Sequence, residues 1–273
     1  MTQTTHTASP LSPRVALITG ASSGIGEAAA RRLSRDQQTK LVLVARREER
    51  LREIAESLAV PCTWVAVDLT HEDAPEKVLE HLREQDGRLD LLINNAGAAW
   101  RARFADGGYE NVRRTMEINF DAQVRLTEAL LPMLRASAPS AIVNVSSTAG
   151  RVTRAGTGAY SASKFALAGW SDALSAEEHQ FGVHVGLVLP GFIATEGFPQ
   201  AELTNKRSTR WAVSTPEKAA EAIYEVGVGR RAERYVPRPY WLLGAMRILA
   251  PWLMRRVLRG NSAAVMTTKT GSE

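Results

Sequence analysis

The chain of 273 residues carries a single cysteine, Cys62. No intramolecular disulfide can form, and a reducing compartment suits it. Cys62 falls in the apolar run Cys62-Thr63-Trp64-Val65-Ala66-Val67, where a buried structural thiol is expected. The five histidines show no metal-ligand spacing, so no metal site is expected. No apolar export core is visible in residues 1–13, which are rich in Thr, Ser and Pro and read as a flexible lead. A cytoplasmic protein is therefore expected. Acids are scarce in one region. Between Arg230 and Arg259 eight arginines meet one acid, Glu233, a local charge of +7 in a chain of net +5 that leaves −2 for the remainder. Those arginines are interleaved with bulky apolar residues, which disfavours nucleic acid as a partner.

What is present alternates. The run Arg14–Ile18 leads into Thr19-Gly20-Ala21-Ser22-Ser23-Gly24-Ile25-Gly26 and a helical pattern through Leu33. Strands are read at Lys40–Ala45, Cys62–Val67, Asp90–Ile93, Ser140–Val145 and Val183–Leu189, with helices at Glu48–Leu58, Glu72–Glu84, Tyr109–Leu134, Gly158–Phe181 and Pro216–Val226. Pro216 suits the first helical position, with Thr215 as its cap. Near-continuous apolar strands between amphipathic helices argue for a parallel sheet covered on both faces, a single-domain, doubly wound α/β fold of Rossmann type over 14–236. A helical extension follows over 237–259, and residues 260–273 read as a flexible tail.

Several turns at strand ends hold residues with chemistry. The first is Gly-x-x-x-Gly-x-Gly, neither Gly-x-Gly-x-x-Gly nor a P-loop, since no Gly-Lys-Ser/Thr follows. Such a turn either binds a nucleotide phosphate at the helix N-terminus or is structural. Asn119 sits inside a helix, where an amide is a poor choice unless it faces solvent or has a specific task. Tyr160 and Lys164, four apart, share one helix face. A nearby ammonium would lower the phenol pKa towards neutrality and fit it for proton transfer, although such pairs also occur on ordinary surface helices.

Taken in order, the glycine turn, Asn94-Asn95-Ala96-Gly97, Asn119, Ser147, Tyr160-x-x-x-Lys164 and Pro190-Gly191 resemble the short-chain dehydrogenase/reductase family over roughly residues 14–236. The segment Tyr160–Leu167 is similar to the branch of hydroxysteroid dehydrogenases and carbonyl reductases. The resemblance implies that Tyr160 is the general acid/base, that Lys164 lowers its pKa and binds the nicotinamide ribose, that Ser147 holds the substrate oxygen, and that Asn119 keeps a proton-relay water beside Lys164. Ser146 is the competing serine. The family's thirteen-residue interval to the tyrosine selects Ser147. The resemblance further implies cofactor contacts from Gly20, Ser22, Ser23, Gly24, Ile25 and Gly26. It adds Asp68 and Leu69 at the adenine, Asn95, Ala96 and Gly97 at the adenosine ribose, and Pro190, Gly191, Ile193 and Thr195 at the nicotinamide.

Strand Lys40–Ala45 is followed by Arg46-Arg47 rather than an acid, so a 2′-phosphate is welcome. NADP(H) is expected over NAD(H), with Arg46 the main contact. Trp100, Phe104, Phe192, Phe198 and Trp211 are candidate substrate walls, suited to a hydrophobic ketone or secondary alcohol, with 194–214 as a lid. A 3-oxoacyl-thioester reductase and a catalytically silent NADP(H)-sensing protein are the competing readings. Residues 240–259 are too short and too broken by Arg247 and Pro251 to span a bilayer. They can cover the cleft, join subunits of a homodimer or homotetramer, or make a peripheral membrane contact.

Overall fold

In the computed structural model the described residues are 11–12, 14–193 and 213–260, with side chains described as far as Arg256. The strands are β1 (Val15–Thr19), β2 (Lys40–Ala45), β3 (Cys62–Ala66), β4 (Leu91–Asn94), β5 (Ser140–Val145), β6 (Val183–Pro190), β7 (Phe192–Ile193), β8 (Val213–Ser214) and β9 (Glu233–Val236). The helices are α1 (Gly24–Leu33), α2 (Glu48–Ser57), α3 (Ala74–Gln85), α4 (Phe104–Met116), α5 (Ala122–Ala136), α6 (Gly158–Glu178), α7 (Pro216–Gly227), α8 (Trp241–Leu249) and α9 (Pro251–Gly260).

Seven strands form one sheet in the order β3-β2-β1-β4-β5-β6-β9, every neighbouring pair parallel. β1 lies at the reversal of strand order, with Leu17 opposite Val42 on one side and Leu92 on the other. Alternation sends successive side chains to opposite faces. Ile18, Leu43 and Ile93 pack in one core with Leu33 of α1, Leu51 of α2 and Ile223 of α7. Leu17, Val42 and Leu92 pack in the other with Leu82 of α3 and Leu126 and Leu130 of α5. Each fully buried Leu or Ile contributes about 1.5–3 kcal/mol. A sheet wrapped on both sides leaves the strand ends as the place for a ligand.

Four local expectations change. Leu11, in the stretch expected to be a flexible lead, is buried, and its N–H donates to Val228 O at 2.7 Å. The helix expected from Tyr109 begins at Phe104, kinks at Gly108 (φ 51°) and opens into a π-turn over Glu117–Asp121 before α5. β9 adds a seventh strand that the apolar pattern did not announce. Cys62 is half-buried rather than buried, though its surroundings still push the thiol up to about 12 and make it inert. Thr215 does cap α7, its hydroxyl accepting from Lys218 N at 3.4 Å.

Candidate active site

Two strand ends are tied together by one hydroxyl. Thr19 Oγ1 donates to Ile93 O (3.2 Å) and accepts from the N–H groups of Asn95 (2.9 Å) and Ala96 (3.0 Å). Asn95 Nδ2 returns a hydrogen bond to Thr19 O at 2.9 Å. Gly20, at φ +64°, lies so close beneath this link that a Cβ there would sit 2.9 Å from Ala96 Cα. Ser23 opens α1 without a side-chain cap, so the first-turn N–H groups of the helix remain available to an anion. Ser22, Ser23, Gly24 and Ile25 line a cleft of about 1440 Å³ along the carboxyl ends of the strands. Gly26 lies behind them, packed on Gly20 O.

At one end of this cleft stands Arg46, 78% exposed, its Nη1 3.5 Å from Asp68 Oδ2. The carboxylate nearest Arg46 thus comes from beyond β3, not from the end of β2. Burial raises the Asp68 pKa, but hydrogen bonds from Thr70 N and Oγ1 and the charge of Arg46 outweigh it and hold the carboxyl below its usual range. Arg47 turns the other way and grips the glycine turn, donating to Ser22 O (2.9 Å) and Oγ (3.2 Å). Leu69, Ala96 and Gly97 continue the wall.

At the other end Ser147, Tyr160 and Lys164 converge from β5 and α6 and line the same cleft. Ser147 Oγ donates to Pro190 O at 3.2 Å and accepts from Ala149 N at 3.1 Å. Ser146 faces inward, donating to Lys164 O at 2.9 Å. Asn119, fully buried, sits behind the cleft rather than in it. Its amide exchanges hydrogen bonds with Ala98 N (2.8 Å) and O (2.9 Å) and donates to Ser163 Oγ (3.0 Å). Ser163 Oγ in turn donates to Tyr160 O at 2.8 Å. The π-turn is what aims this amide at both the β4 loop and α6.

The electrostatics differ from the sequence expectation. Lys164 Nζ donates to Val145 O at 2.9 Å and lies 6.0 Å from the Tyr160 ring centroid. Burial lowers its pKa to about 8. Burial also raises the Tyr160 phenol, while the Ser147 hydroxyl and the charge of Arg101 pull it back in part. Arg101 is the residue that spacing overlooked, although it follows the Asn94–Gly97 turn by only four positions.

Pro190, Gly191, Phe192 and Ile193 border the cleft together with Ser147, Tyr160 and Lys164. Thr195, Phe198, Trp211 and the 194–212 part of the expected lid lie outside the described residues. Trp100 lines the cleft, with Arg114 stacked over its ring at 4.7 Å. Phe104 is 76% exposed at the start of α4 and is not a cleft wall, because α4 begins earlier than its periodicity implied. From the extension, Tyr240, Leu243, Met246 and Met254 complete the wall. A Cβ on Gly191 would lie 2.0 Å from Tyr240 Cε2, so extension and strand end are in direct contact.

A family model described as short chain dehydrogenase matches residues 14–206. Dehydrogenase/reductase SDR family member 7B from Xenopus laevis is 31% identical over 269 residues, covering 92% of this chain and 83% of the relative. A 3-ketodihydrosphingosine reductase from Bacteroides thetaiotaomicron is 36% identical over 181 residues, covering 66% of this chain and 64% of the relative. The crystal structure of L-sorbose reductase from Gluconobacter frateurii, complexed with NADPH and L-sorbose, superposes with a TM-score of 0.73 at 28% identity, covering 83% of this chain and 95% of that one. With matching motifs, sheet order and relatives, the chain belongs to the short-chain dehydrogenase/reductase family of oxidoreductases.

Proposed function

We propose that the protein transfers a hydride between NADP(H) and a hydrophobic ketone or secondary alcohol, with Tyr160 as the general acid/base. The observation that carries this reading is the meeting of Ser147, Tyr160 and Lys164 at one end of a cleft whose other end is bordered by Arg46. The cleft fits a dinucleotide, since glycine backbone and a helix N-terminus border its middle. Gly20 to Ile25 would hold the pyrophosphate, Arg46 the 2′-phosphate, Asp68 and Leu69 the adenine, Asn95 to Gly97 a ribose, and Pro190 to Ile193 with Thr195 the nicotinamide. NADPH supplies the hydride when bound. The NADPH in the L-sorbose reductase structure supports the cofactor choice.

The chain's own part is orientation and proton delivery. Ser147 fixes the carbonyl oxygen within reach of the Tyr160 hydroxyl, which gives its proton as charge develops on that oxygen. A buried phenol with a raised pKa is a neutral donor at pH 7, the form that carbonyl reduction needs. Lys164, drawn to about 8 by burial, still carries its charge at pH 7 and stands ready to meet an anionic ligand. Asn119 holds the loop at Ala98 and α6 at Ser163 in register and so positions this set.

The apolar wall from Tyr240, Leu243, Met246 and Met254 supports a hydrophobic substrate, and two relatives are named as reductases of a ketosphingoid and a ketose. The decisive experiment is a carbonyl panel with NADPH and NADH. Tyr160→Phe is expected to lower kcat/KM by roughly 10²–10⁴-fold while NADPH still binds by fluorescence titration. NADPH binding with no turnover in the panel, unchanged by Tyr160→Phe, would establish a silent binding protein instead. Preference for acetoacetyl thioesters over simple ketones would establish a 3-oxoacyl-thioester reductase. Arg46→Ala is expected to raise the KM for NADPH about tenfold or more and leave that for NADH nearly unchanged, the loss of one charge-assisted phosphate contact.

Residues 240–259 close the substrate end on this reading. Their outer face exposes Trp241, Leu242, Ile248, Leu249 and Trp252 beside Arg247, Arg255 and Arg256. Such a face suits a second copy of the chain in a homodimer or homotetramer, or the interface of an anionic membrane.

A further inference from the structure

We propose that the outer sides of α8 and α9 dock on the headgroup layer of an anionic lipid bilayer, and that the cleft takes an apolar ketone directly from that membrane. The docking part stands on the extension alone. The delivery part rests on the hydride-transfer reading and deepens it by naming the source of the substrate.

A Cβ on Gly244 would lie 3.3 Å from Tyr235 Oη and 3.7 Å from Arg151 Cβ, so α8 is anchored there to β9 and to the segment after β5. With about 100° per residue, Trp241, Leu242, Ala245, Ile248 and Leu249 gather on one side of α8, away from Leu243 and Met246. The four large side chains of that set are exposed. On α9, Trp252, Arg255 and Arg256 stand at i, i+3 and i+4 on one exposed face, and Met254 is buried on the other. Exposed tryptophan, leucine and isoleucine next to arginine is the composition of a helix that lies in a membrane interface. The rings and aliphatic groups enter the acyl boundary, and the guanidinium groups meet phosphates.

Charge selects lipid over a second copy of the chain. Residues 237–259 hold five arginines and no acid. In a two-fold dimer the same patch faces itself, so Arg255 and Arg256 would meet their own copies with no carboxylate from the extension between them. Anionic headgroups supply the missing charge. The same helices line the cleft from within. Leu243, Met246 and Met254 are part of its wall, and Leu243 and Met246 are also partly open to solvent. Apolar surface therefore continues from the solvent side of the extension to the cleft interior. A ketone that follows it avoids passage through water, which opposes transfer about four-fold for each methylene group.

The test floats the NADPH-saturated protein with vesicles of phosphatidylcholine alone and of phosphatidylcholine mixed with phosphatidylglycerol. Binding to the mixed vesicles is expected to exceed that to the neutral ones at least about thirty-fold, the contribution of two arginines at a charged surface, and to fall as salt rises. Arg255→Gln with Arg256→Gln should remove most of that preference. Leu249→Ser with Trp252→Ser should abolish flotation, while retained NADPH binding shows that both variants are folded. A protein that ignores both kinds of vesicle would overturn the proposal, and an oligomer broken by Trp252→Glu would then assign the face to a second copy. Equal partition onto neutral and anionic vesicles would also overturn it, as would full binding by the folded Leu249→Ser, Trp252→Ser variant. Delivery is read with methyl hexadecyl ketone held in the vesicles and methyl butyl ketone in solution. Anionic vesicles should raise turnover of the long ketone ten-fold or more over neutral ones and leave that of the short ketone unchanged. Docking without that rise would overturn delivery from the membrane. Failure to reduce any carbonyl would remove the hydride-transfer reading and delivery with it, and flotation would judge the docking face by itself.

Discussion

Lys164 is 3% exposed and its ammonium rests on the carbonyl of Val145. Burial lowers its pKa to about 8, below the ordinary lysine range, so the unfolded chain binds more protons than the folded one between those values. Stability of the cofactor-free protein is then expected to rise as pH climbs from about 8 towards the ordinary lysine value. The Lys164→Met variant should lack that rise, read as urea midpoints at matched pH. Equal slopes in the two proteins would show that the ammonium is not desolvated. At this scale the sequence was informative about identity and poor on direction. The i, i+4 spacing put Tyr160 and Lys164 on one face, but Ser147 and Arg101, not Lys164, are the groups that pull on the phenol. Arg101 is one more arginine in a chain with 34 lysines and arginines. Its influence on the Tyr160 phenol depends on how the loop after β4 folds over the strand ends, which no local pattern encodes.

The π-turn over Glu117–Asp121 shows what an element contributes beyond its residues. It inserts one additional residue per turn and rotates Asn119 to the loop at Ala98 and to Ser163. The apolar periodicity on either side is continuous, so one unbroken helix was the natural reading. The unusual amide was the only signal, and it marked the right place. Asn119→Ala deletes three hydrogen bonds and leaves buried partners unsatisfied, which should cost about 2–4 kcal/mol. We expect a lowered denaturation midpoint together with a lower kcat, since the support of the Tyr160 backbone through Ser163 is loosened. A variant with wild-type stability would show that water replaces the amide. β9 went unread for a different reason. Its sequence, Glu233-Arg234-Tyr235-Val236, is half polar because it edges the sheet, and its charges are paired, Glu233 with Arg151 and Arg234 with Glu225. Edge strands mute the apolar signal that identifies central ones.

The whole molecule follows one rule: strands buried on both faces, turns gathered at their carboxyl ends, and an extension laid over one end of the resulting cleft. The first two were legible because parallel sheets write near-continuous apolar runs. The third was not, since α8 and α9 carry an apolar surface on two sides. Their inner residues line the cleft, while Ile248 and Leu249 are 77% and 83% exposed and Trp252 is 70% exposed. No helix among the described residues is long and apolar enough to cross a membrane. If a second copy covers this face, light scattering should give a dimer or tetramer that Trp252→Glu shifts towards monomer. If lipid covers it, the protein should float with anionic vesicles, and Arg255→Glu with Arg256→Glu should release it. A monomer that ignores vesicles would leave the face to the cleft alone. One contact carries a consequence across this architecture. Gly191 and the Tyr240 ring touch with no room for a methyl group between them, so a displacement of the strand end proposed to meet the cofactor presses directly on the ring proposed to meet the substrate. A ligand that shifts either must be felt by the other with equal coupling in both directions: the factor by which ketone tightens cofactor is the factor by which cofactor tightens ketone.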